Sequence, residues 1–431
     1  MKEILHRSDE LTRRSFMSKT ASSLLGVGLM PGIVGGEAFA QAAATAAKSR
    51  PTARNVIYLY MSGGMTHLDT FDPKPGSETQ GPVEAIRTKA DDVMISEYLP
   101  GLASQMDKVA LVRSMTTTQG AHAQGNYFMH SSYVMRGTIR HPGMGAWLQK
   151  LDGRPNRTLP GSVKVGGGGM GGAGFMGQKF GPLVLNNPNE GLRNSKRRDG
   201  ISEKDFNDRL MLADMFDKKF HSTYKHDSVK AQREMYDDAV RLMKSEDLQA
   251  FDLSKESEAT RENYGNNGFG QGVLLARRLI ENDVRFVEVS LGGWDTHANN
   301  FASVSQRAAV LDQALTSLLV DLTRRGMLDE TLVVVATEFG RTPRINENNG
   351  RDHFPKAFSC MLAGGGIKGG QAYGVTDERG ENVIENKVQV PDFNATIAKA
   401  LGLPLDKVVL SPSKRPFTVA HKGRPILDLF A

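Results

Sequence analysis

Acidic and imidazole side chains are concentrated in four short polar segments of the sequence, and each segment lies next to an apolar run. Their oxygen and nitrogen donors are the ligands that suit zinc, manganese or iron. Carboxylates that gather without a cation repel one another, which raises their pKa values. The segments therefore predict one divalent metal site, with zinc as the leading ion and manganese, iron or calcium as alternatives. The residues concerned are His67, Asp69, Asp72, Asp295, His297, Glu338, Asp352 and His353.

Six of these residues form the predicted ligand set, and three further residues are predicted to act on a substrate. Arg341 has a planar guanidinium that can hold a tetrahedral anion. Thr66 and His122 supply a hydroxyl and an imidazole that can serve in catalysis. The predicted metal ligands are His67, Asp69, Asp295, His297, Glu338 and His353.

Each residue taken singly also has a structural explanation, which is the more common one for its type. Asp69 suits a helix cap, and Asp72, which precedes Pro73, suits a turn. The Thr-rich segment 113–126 around His122 is as typical of a capped loop as of a catalytic one. The metal prediction therefore depends on the coincidence of four segments, not on any single residue.

Short apolar runs rich in Val, Ile and Leu predict the strands that position these segments. Because the runs are continuous rather than alternating, they are typical of a parallel sheet covered on both faces, where ligands bind at the carboxyl edge. Residues 308–322 carry leucines at helical spacing and predict a helix. The fold class that follows is doubly wound α/β, with a mostly parallel sheet and helices on both faces. The predicted strands cover residues 55–61, 109–112, 284–289, 331–337 and 358–363.

Residues 1–40 predict a twin-arginine signal peptide. Arg13 and Arg14 precede a glycine-diluted apolar stretch, which ends in the small-x-small site Ala38-Phe39-Ala40. The protein is therefore expected in the periplasm or outside the cell, with the twin-arginine translocase as its partner during export. Residues 41–431 would form one α/β domain, in which about 186–282 are a charged, mainly helical insertion.

Composition argues against several classes of protein. A formal net charge of +6 spread over 431 residues does not predict nucleic-acid binding. Cys360 is the single cysteine, so an intramolecular disulfide is excluded. Residues 41–431 contain no uninterrupted run of eighteen apolar residues, so no stable membrane span is expected in the mature protein.

At these motifs the sequence resembles a known family, the exported bacterial proteins grouped as domain of unknown function 1501. That family lies within the alkaline phosphatase and sulfatase superfamily, so the resemblance implies an alkaline phosphatase-like domain, on which the charged helical segment would form a cap. Formylglycine sulfatase chemistry is set aside, because Cys360 is late in the chain and lacks the Cys-x-Pro-x-Arg context. The resemblance is carried by residues 63–74 and 276–281, by Gly292-Gly293-Trp294-Asp295-Thr296-His297 and by Glu338-Phe339-Gly340-Arg341-Thr342-Pro343.

The resemblance implies a role for four of the residues and also shows where this chain departs from the superfamily. Asp295 and His297 match its Asp and His pair, Glu338 the acid of its Asp-His dipeptide, and His353 its late histidine. Phe339 stands where the dipeptide's histidine belongs, so one ligand is missing unless His67 or His122 replaces it. No acid directly follows the first strand. A single-metal or rearranged site is therefore expected rather than a two-metal phosphatase site.

The leading hypothesis is an exported metal-dependent hydrolase that acts on a phosphate, sulfate or related ester. Its substrate would be a small anionic ester or a polysaccharide-derived one. The alternative is a non-catalytic exported protein that keeps the superfamily fold and binds glycan or a protein partner. A redox enzyme has the least support, because the sequence has no Gly-x-Gly-x-x-Gly in a βαβ setting and no set of cysteines for a cluster.

Overall fold

A mixed sheet at the centre of the protein organises the fold. The structure, a computed structural model, describes residues 51–167, 171–195, 197–224 and 227–431. The predicted signal peptide lies outside these residues. The strands are β1 Asn55–Ser62, β2 Ala85–Arg87, β3 Met94–Ser96, β4 Val109–Thr116, β5 Ser162–Val165, β6 Leu183–Leu185, β7 Phe286–Gly292, β8 Thr331–Ala336, β9 Gly340–Arg341, β10 His353–Phe354, β11 Phe358–Ala363, β12 Gln371–Tyr373, β13 Val375–Thr376, β14 Val383–Glu385, β15 Val388–Gln389, β16 Val409–Leu410 and β17 Pro416–Phe417.

Helices connect these strands and cover the sheet. The α-helices are α1 Pro100–Ala103, α2 His122–Ser131, α3 Met144–Asp152, α4 Glu203–Thr223, α5 Asp227–Met243, α6 Glu258–Tyr264, α7 Gly268–Glu281, α8 Asn300–Arg324 and α9 Val390–Ala400. Short 3-10 helices occur at Met106–Lys108, Gly174–Met176, Gln178–Phe180, Pro188–Glu190, Glu246–Phe251, Leu253–Lys255, Leu328–Glu330, Val419–Lys422 and Leu427–Leu429.

The strand order of the main sheet is β12-β4-β11-β8-β1-β7-β5-β6, and β15 also pairs with β4. Strand β1 is parallel to both of its neighbours, β7 and β8. Strand β11 is antiparallel to its neighbours β8 and β4. The prediction of a mostly parallel α/β sheet is therefore confirmed, although the run at 358–363 is reversed within it.

The two faces of the sheet pack against two hydrophobic clusters, and β1 shows why both are needed. Its residues Ile57 and Leu59 enter the cluster that contains the buried leucines of α7 and α8. Val56 and Tyr58 enter the opposite cluster, with residues of α2, α3 and α9. Successive side chains of a strand point to opposite faces, so an uninterrupted apolar strand requires helices on both sides.

The leucines predicted at helical spacing form the buried face of α8. Leu311, Leu315, Leu318 and Leu322 are all buried there, which confirms the predicted helix. The segment expected to form a charged insertion contains α4, α5 and α6. It also contains α7, whose buried leucines pack on the sheet as part of the core.

Candidate metal centre

Three loops that follow neighbouring strands meet at the carboxyl edge of the sheet. The register pairs Ser62 at the end of β1 with Gly292 at the end of β7, and Tyr60 with Ala336 at the end of β8. The loops after the three strands therefore leave the sheet side by side, as expected for parallel strands. Gly63 permits their close approach, because its φ is +122° and a Cβ there would lie 2.5 Å from the Asp295 nitrogen.

Asp295 is the point at which three histidine rings meet. His122 Nε2 lies 3.3 Å from Asp295 Oδ2, and His297 Nε2 lies 3.2 Å from Asp295 Oδ1. His353 Nε2 is 3.4 Å from the same Oδ1 and 3.0 Å from His297 Nε2. One donor atom from each of His122, Asp295 and His353 lies within 4.8 Å of the other two. The fold thus brings four donors from different parts of the chain to one point.

Each of the three rings is held at its other nitrogen by an acceptor. A ring that donates its Nδ1 proton turns an unprotonated Nε2 in the opposite direction, and protein metal sites use this second contact to orient ligands. The buried Nε2 of His122 has no hydrogen-bond partner. The Nδ1 contacts are 2.8 Å from His122 to Glu338 Oε1, 2.6 Å from His297 to Asp352 Oδ1, and 2.8 Å from His353 to the Gly120 carbonyl.

The donor separations suit a divalent cation. Zinc bonds to nitrogen and carboxylate oxygen at about 2.0–2.2 Å, so neighbouring ligands of a tetrahedral ion lie about 3.3 Å apart. His122 Nε2 stands 3.3 Å from Asp295 Oδ2, and His353 Nε2 stands 3.4 Å from the other oxygen, Oδ1. Nitrogen lone pairs and a carboxylate at such distances repel unless a cation or a proton lies between them. His122, Asp295 and His353 therefore form a possible site for a divalent metal ion.

Arg341 holds Asp295 in place and does not face the open side of the site. Its guanidinium is fully buried and forms an ion pair with Asp295 Oδ1. The remaining donors bind backbone: Nε donates to the Gly64 carbonyl at 3.0 Å, and Nη1 donates to the Arg351 carbonyl at 3.0 Å. Partial burial raises the pKa of Asp295, but the hydrogen bond and charge of Arg341, with the nearby histidines, outweigh it and lower that pKa to about 2.

Glu338 orients His122 through a hydrogen bond to its Nδ1. Its carboxylate is buried, and it accepts hydrogen bonds from Tyr60 Oη and from the Gly63 nitrogen, both at 2.9 Å. Burial opposes its charge, yet the hydrogen bonds from His122, Tyr60 and Gly63 keep the pKa of Glu338 below its ordinary value. The hydrogen bond between His122 and Glu338 is also the main cause that raises the pKa of His122.

His67, Asp69 and Thr66 lie in a buried hydrogen-bond network separate from the three histidines. His67 Nε2 is 2.8 Å from the Gly380 carbonyl. Asp69 binds the fully buried Arg351 through both of its oxygens, at 2.9 and 3.0 Å, and Thr66 donates to Asp69 Oδ2 at 3.0 Å. His67 Nδ1 is buried without a hydrogen-bond partner among the described residues. These three residues therefore lie apart from the cluster that Asp295, His297, His353 and His122 form.

Some contributors to the site carried a weaker signal in the sequence. Tyr60 sits in an apolar strand, where a buried hydroxyl needs a partner, and that need was the available clue. Asp352 belonged to the four polar segments, but only the fold pairs it with His297. The Gly120 carbonyl left no signal in the sequence, because every residue has a backbone carbonyl. The ring of His122 lies next to that of Phe339, with the two ring centroids 5.0 Å apart.

A basic cavity of about 380 Å³ is lined in part by residues that follow β4 and by one that precedes β11. The two loops that border it are joined by a hydrogen bond from the Thr117 nitrogen to the Pro355 carbonyl, at 2.9 Å. Lys356 and Lys387 are exposed at its rim. No carboxylate is among the described residues that line it, so the cavity favours an anionic group. Its lining is Thr116, Thr117, Thr118, Phe128, Lys356, Asn382, Val383, Lys387 and Gln389.

Solved structures show distant similarity to this chain. One is the lipoteichoic acid synthase LtaP from Listeria monocytogenes, with a TM-score of 0.38 and 9% identity over 83% of this chain and 74% of that one. Another is a protein in the alkaline phosphatase superfamily from Vibrio parahaemolyticus, with a TM-score of 0.40 and 10% identity over 89% and 72%. The alkaline phosphatase from the Antarctic bacterium TAB5 has a TM-score of 0.32 and 12% identity over 76% and 96%.

Comparison of the sequence with family models identifies the family of this chain, which the distant structural similarities do not. No curated protein matches its sequence. Among the described residues, no helix is both long and apolar enough to cross a membrane. The model of the family described as "Protein of unknown function (DUF1501)" matches residues 53–430. The match covers the three strand-end loops and the histidine cluster, and the chain belongs to this family.

Proposed function

We propose that this protein is an exported metal-dependent hydrolase of phosphate, sulfate or related esters. The observation that carries the proposal is the convergence of His122, His297 and His353 on Asp295, with every Nδ1 held by an acceptor. Three protein ligands with one position left open are the arrangement of catalytic rather than structural zinc sites. Asp295, His122 and His353 would hold the ion, and zinc suits this donor set.

The side chains beside the proposed ligands would take part in proton transfer and in positioning the ligands. A bound divalent ion polarises an ester oxygen and lowers the pKa of a bound water or hydroxyl. His297 is half exposed beside the ligands, and its Nδ1 is fixed by Asp352 at 2.6 Å. In the neutral ring, Nε2 accepts the proton of the attacking water or hydroxyl, while Asp352 stabilises the imidazolium that forms. Arg341 positions Asp295 through the buried ion pair.

The basic cavity supports an anionic substrate. Lys356, which lines it, follows the proposed ligand His353 by three residues in the chain. Two lysines and the hydroxyls of Thr117 and Thr118 can bind a phosphate, sulfate or carboxylate of an ester or of a polysaccharide-derived substrate. The chain carries no comparable reason to bind nucleic acid, because its net charge is only +6.

The decisive experiment combines metal content with turnover. Elemental analysis of the purified protein should find about one divalent ion per chain, and a screen of aryl phosphates, phosphodiesters and sulfates should find a hydrolysed ester. Asp295→Ala and His353→Ala should lose both, whereas Asp406→Ala, a control at a remote exposed aspartate, should keep both. The absence of bound metal, together with the absence of any stabilisation by added metal, would contradict the proposal. Bound metal without turnover of any ester would favour the binding protein instead.

We further propose export by the twin-arginine route. The support is Arg13-Arg14, the diluted apolar stretch and the site at Ala38-Phe39-Ala40. Replacing both arginines with lysine should leave an uncleaved precursor in the cytoplasm, whereas Lys2→Arg should not. Cell fractionation and the mass of the recovered chain give the readout. Normal export of the twin-lysine variant would contradict this route.

A further inference from the structure

A glycine-rich loop follows β5 and leaves the sheet at the same edge as the loops of the candidate metal centre. Strand β5 is parallel to β7, and β7 is parallel to β1. The carboxyl ends of parallel strands share one edge of a sheet, where ligands bind in α/β proteins. The glycine-rich loop therefore begins at a ligand-binding edge, and the metal ligands proposed above use none of its residues.

Close backbone contacts hold residues 171–174 of this loop against the segment that precedes α3. The Phe175 nitrogen donates to the Arg140 carbonyl at 2.8 Å. Gly174 has a φ of +53°, and a Cβ there would lie 2.4 Å from the carbonyl carbon of His141. Glycine is needed at this position, because a side chain would collide with the neighbouring backbone. The loop and the segment are therefore packed backbone against backbone.

A cavity of about 480 Å³ is lined by residues of this loop and of the segment before α3, and by two basic side chains. Lys164 belongs to β5 and is buried, whereas Arg140 is exposed. The guanidinium carbon of Arg140 lies 5.9 Å from the centroid of the Tyr127 ring, which lines the same cavity. Such a contact attracts the guanidinium to the face of the ring. No carboxylate is among the described residues that line the cavity.

The ammonium of Lys164 has more hydrogen-bond donors than acceptors around it. Its Nζ lies 2.8 Å from Glu288 Oε1 in an ion pair, yet the atom is buried and has no hydrogen-bond partner among the described residues. An ammonium carries three N–H donors, so at least two lack an acceptor even if the ion pair satisfies one. Buried donors are nearly always satisfied, and unpaired donors that line a cavity therefore indicate an acceptor held in it.

Glu288 offsets only part of the positive charge at this cavity. Among the residues that the structure describes, it is the one acidic residue that forms an ion pair with Lys164 or Arg140. Burial raises the pKa of Glu288, but its contacts with His130 and Lys164 outweigh burial and lower that pKa to about 2. Glu288 is therefore charged at neutral pH, and it carries one negative charge against two positive ones. The surplus favours an anionic ligand over a neutral one.

We infer that this cavity is a second anion-binding site, which takes a phosphate, sulfate or carboxylate group. Lys164 would bind the anion as a buried point charge, and Arg140 would bind it through its planar fork from the exposed side. The anionic group can belong to a free ion or to an anionic polymer that also reaches the metal centre. The inference does not rest on the proposed hydrolase activity, because the site is measured by binding and not by turnover.

Calorimetric titration of the purified protein with inorganic sulfate tests the site. Every protein in the titration carries Lys356→Ala and Lys387→Ala, which remove the lysines of the other basic cavity. Sulfate should bind in this background, and Arg140→Ala should weaken binding at least tenfold, because the anion loses a bidentate partner. Arg136→Ala is the matched control, since Arg136 is an exposed arginine nearby in the chain that does not line the cavity. A chelator should leave this binding unchanged, which separates it from any anion held by a metal.

Lys164→Met tests the buried donor and should also weaken sulfate binding at least tenfold. Circular dichroism and thermal unfolding should show that each variant is folded. Lys164→Met leaves Glu288 buried without its ion pair, so if this variant does not fold, Arg140→Ala decides the result alone. The inference would be overturned if the background protein bound no sulfate, or if Arg140→Ala and Arg136→Ala bound it equally well.

Dextran sulfate distinguishes a polymer from a free anion as the source of the bound group. A polymer that occupies this cavity and a second point at the sheet edge gains affinity through multivalency. In that case dextran sulfate should bind the wild-type protein at least tenfold more tightly per sulfate group than inorganic sulfate does. Arg140→Ala should remove that gain, and Arg136→Ala should keep it. Equal affinities would assign the site to a free anion, and both results support an anion site in this cavity.

Discussion

The loops after β1 and β7 each carry an aspartate and a histidine two residues apart, and the fold places the two pairs in opposite environments. His67 and Asp69 are fully buried. The side chains of Asp295 and His297 are each 48% exposed. In the first loop Asp69 is neutralised within the chain by Arg351, with which it forms a bidentate pair.

The difference shows that residue type and spacing do not decide which pair is available to an ion. Burial makes a charge costly unless it is compensated, so Asp69 requires a permanent cationic partner. Asp295 has such a partner in Arg341 but also lies within 3.4 Å of three imidazole nitrogens. Its remaining coordination capacity is open to an external cation. One loop is therefore a structural element, and the other is the candidate site.

The largest expected effect is the loss of stability when Asp69 is changed. Asp69→Asn leaves the guanidinium of Arg351 buried without its counter-charge, which should lower the free energy of unfolding by about 3–5 kcal/mol. Asp295→Asn also removes the partner of a buried arginine, Arg341, but it should cost less, because Asp295 is 48% exposed and water screens this pair. Urea unfolding of both metal-free variants measures the contrast. Equal losses in the two variants would break the comparison.

The next effect is stabilisation by metal. At a hundredfold excess of free zinc over its Kd, the wild-type protein should gain about 2.7 kcal/mol of unfolding free energy. Asp295→Asn and His353→Ala should lose this gain because each removes a donor. Asp69→Asn, if enough of it folds, should keep the gain. Urea unfolding with zinc and with a chelator gives the values, and equal gains in all variants would contradict the assigned ligands.

A smaller effect is expected at Glu338, which acts on the site through its hydrogen bond with His122. Glu338→Gln should weaken zinc binding roughly ten- to hundredfold, because the ring loses its orienting carboxylate. Calorimetric titration with zinc measures the change. Asp72→Asn is the control from the buried loop, since Asp72 contacts Lys74 and Thr376 instead. A Glu338→Gln protein with wild-type affinity would remove Glu338 from the site.

The smallest effect is a shift in the pH dependence of metal binding. The Glu338 hydrogen bond raises the pKa of His122 above its ordinary value of 6.5, and a protonated ring cannot bind a metal. Zinc affinity should therefore fall as pH decreases through this raised pKa. Glu338→Gln lowers the pKa, so the fall should begin at lower pH. Titration of zinc affinity against pH, normalised to each variant's alkaline value, tests the direction, and a shift to higher pH would contradict it.

Much of the fold was accessible from local sequence. The apolar runs at 55–61, 109–112, 331–337 and 358–363 match strands, and the leucine spacing at 308–322 matches α8. The run at 284–289 overlaps β7, which extends from Phe286 to Gly292. These signals are strong because a strand or helix buried on a large face must repeat apolar residues at its own period. The antiparallel direction of β11 has no such signature, since buried strands of either direction are equally apolar.

The candidate site, like the fold, was predictable only in the features that are local in the sequence. Sequence alone determined that this chain carries acidic and imidazole donors after its central strands, because the strand pattern and the polar segments are both local features. Only the tertiary structure decided which donors meet, because hydrogen-bond partners such as Arg351 for Asp69 and Gly120 for His353 lie 282 and 233 residues away in the chain. The two Asp and His pairs are equivalent as local patterns. Long-range packing makes one a buried network and leaves the other, partly exposed, in the candidate metal site.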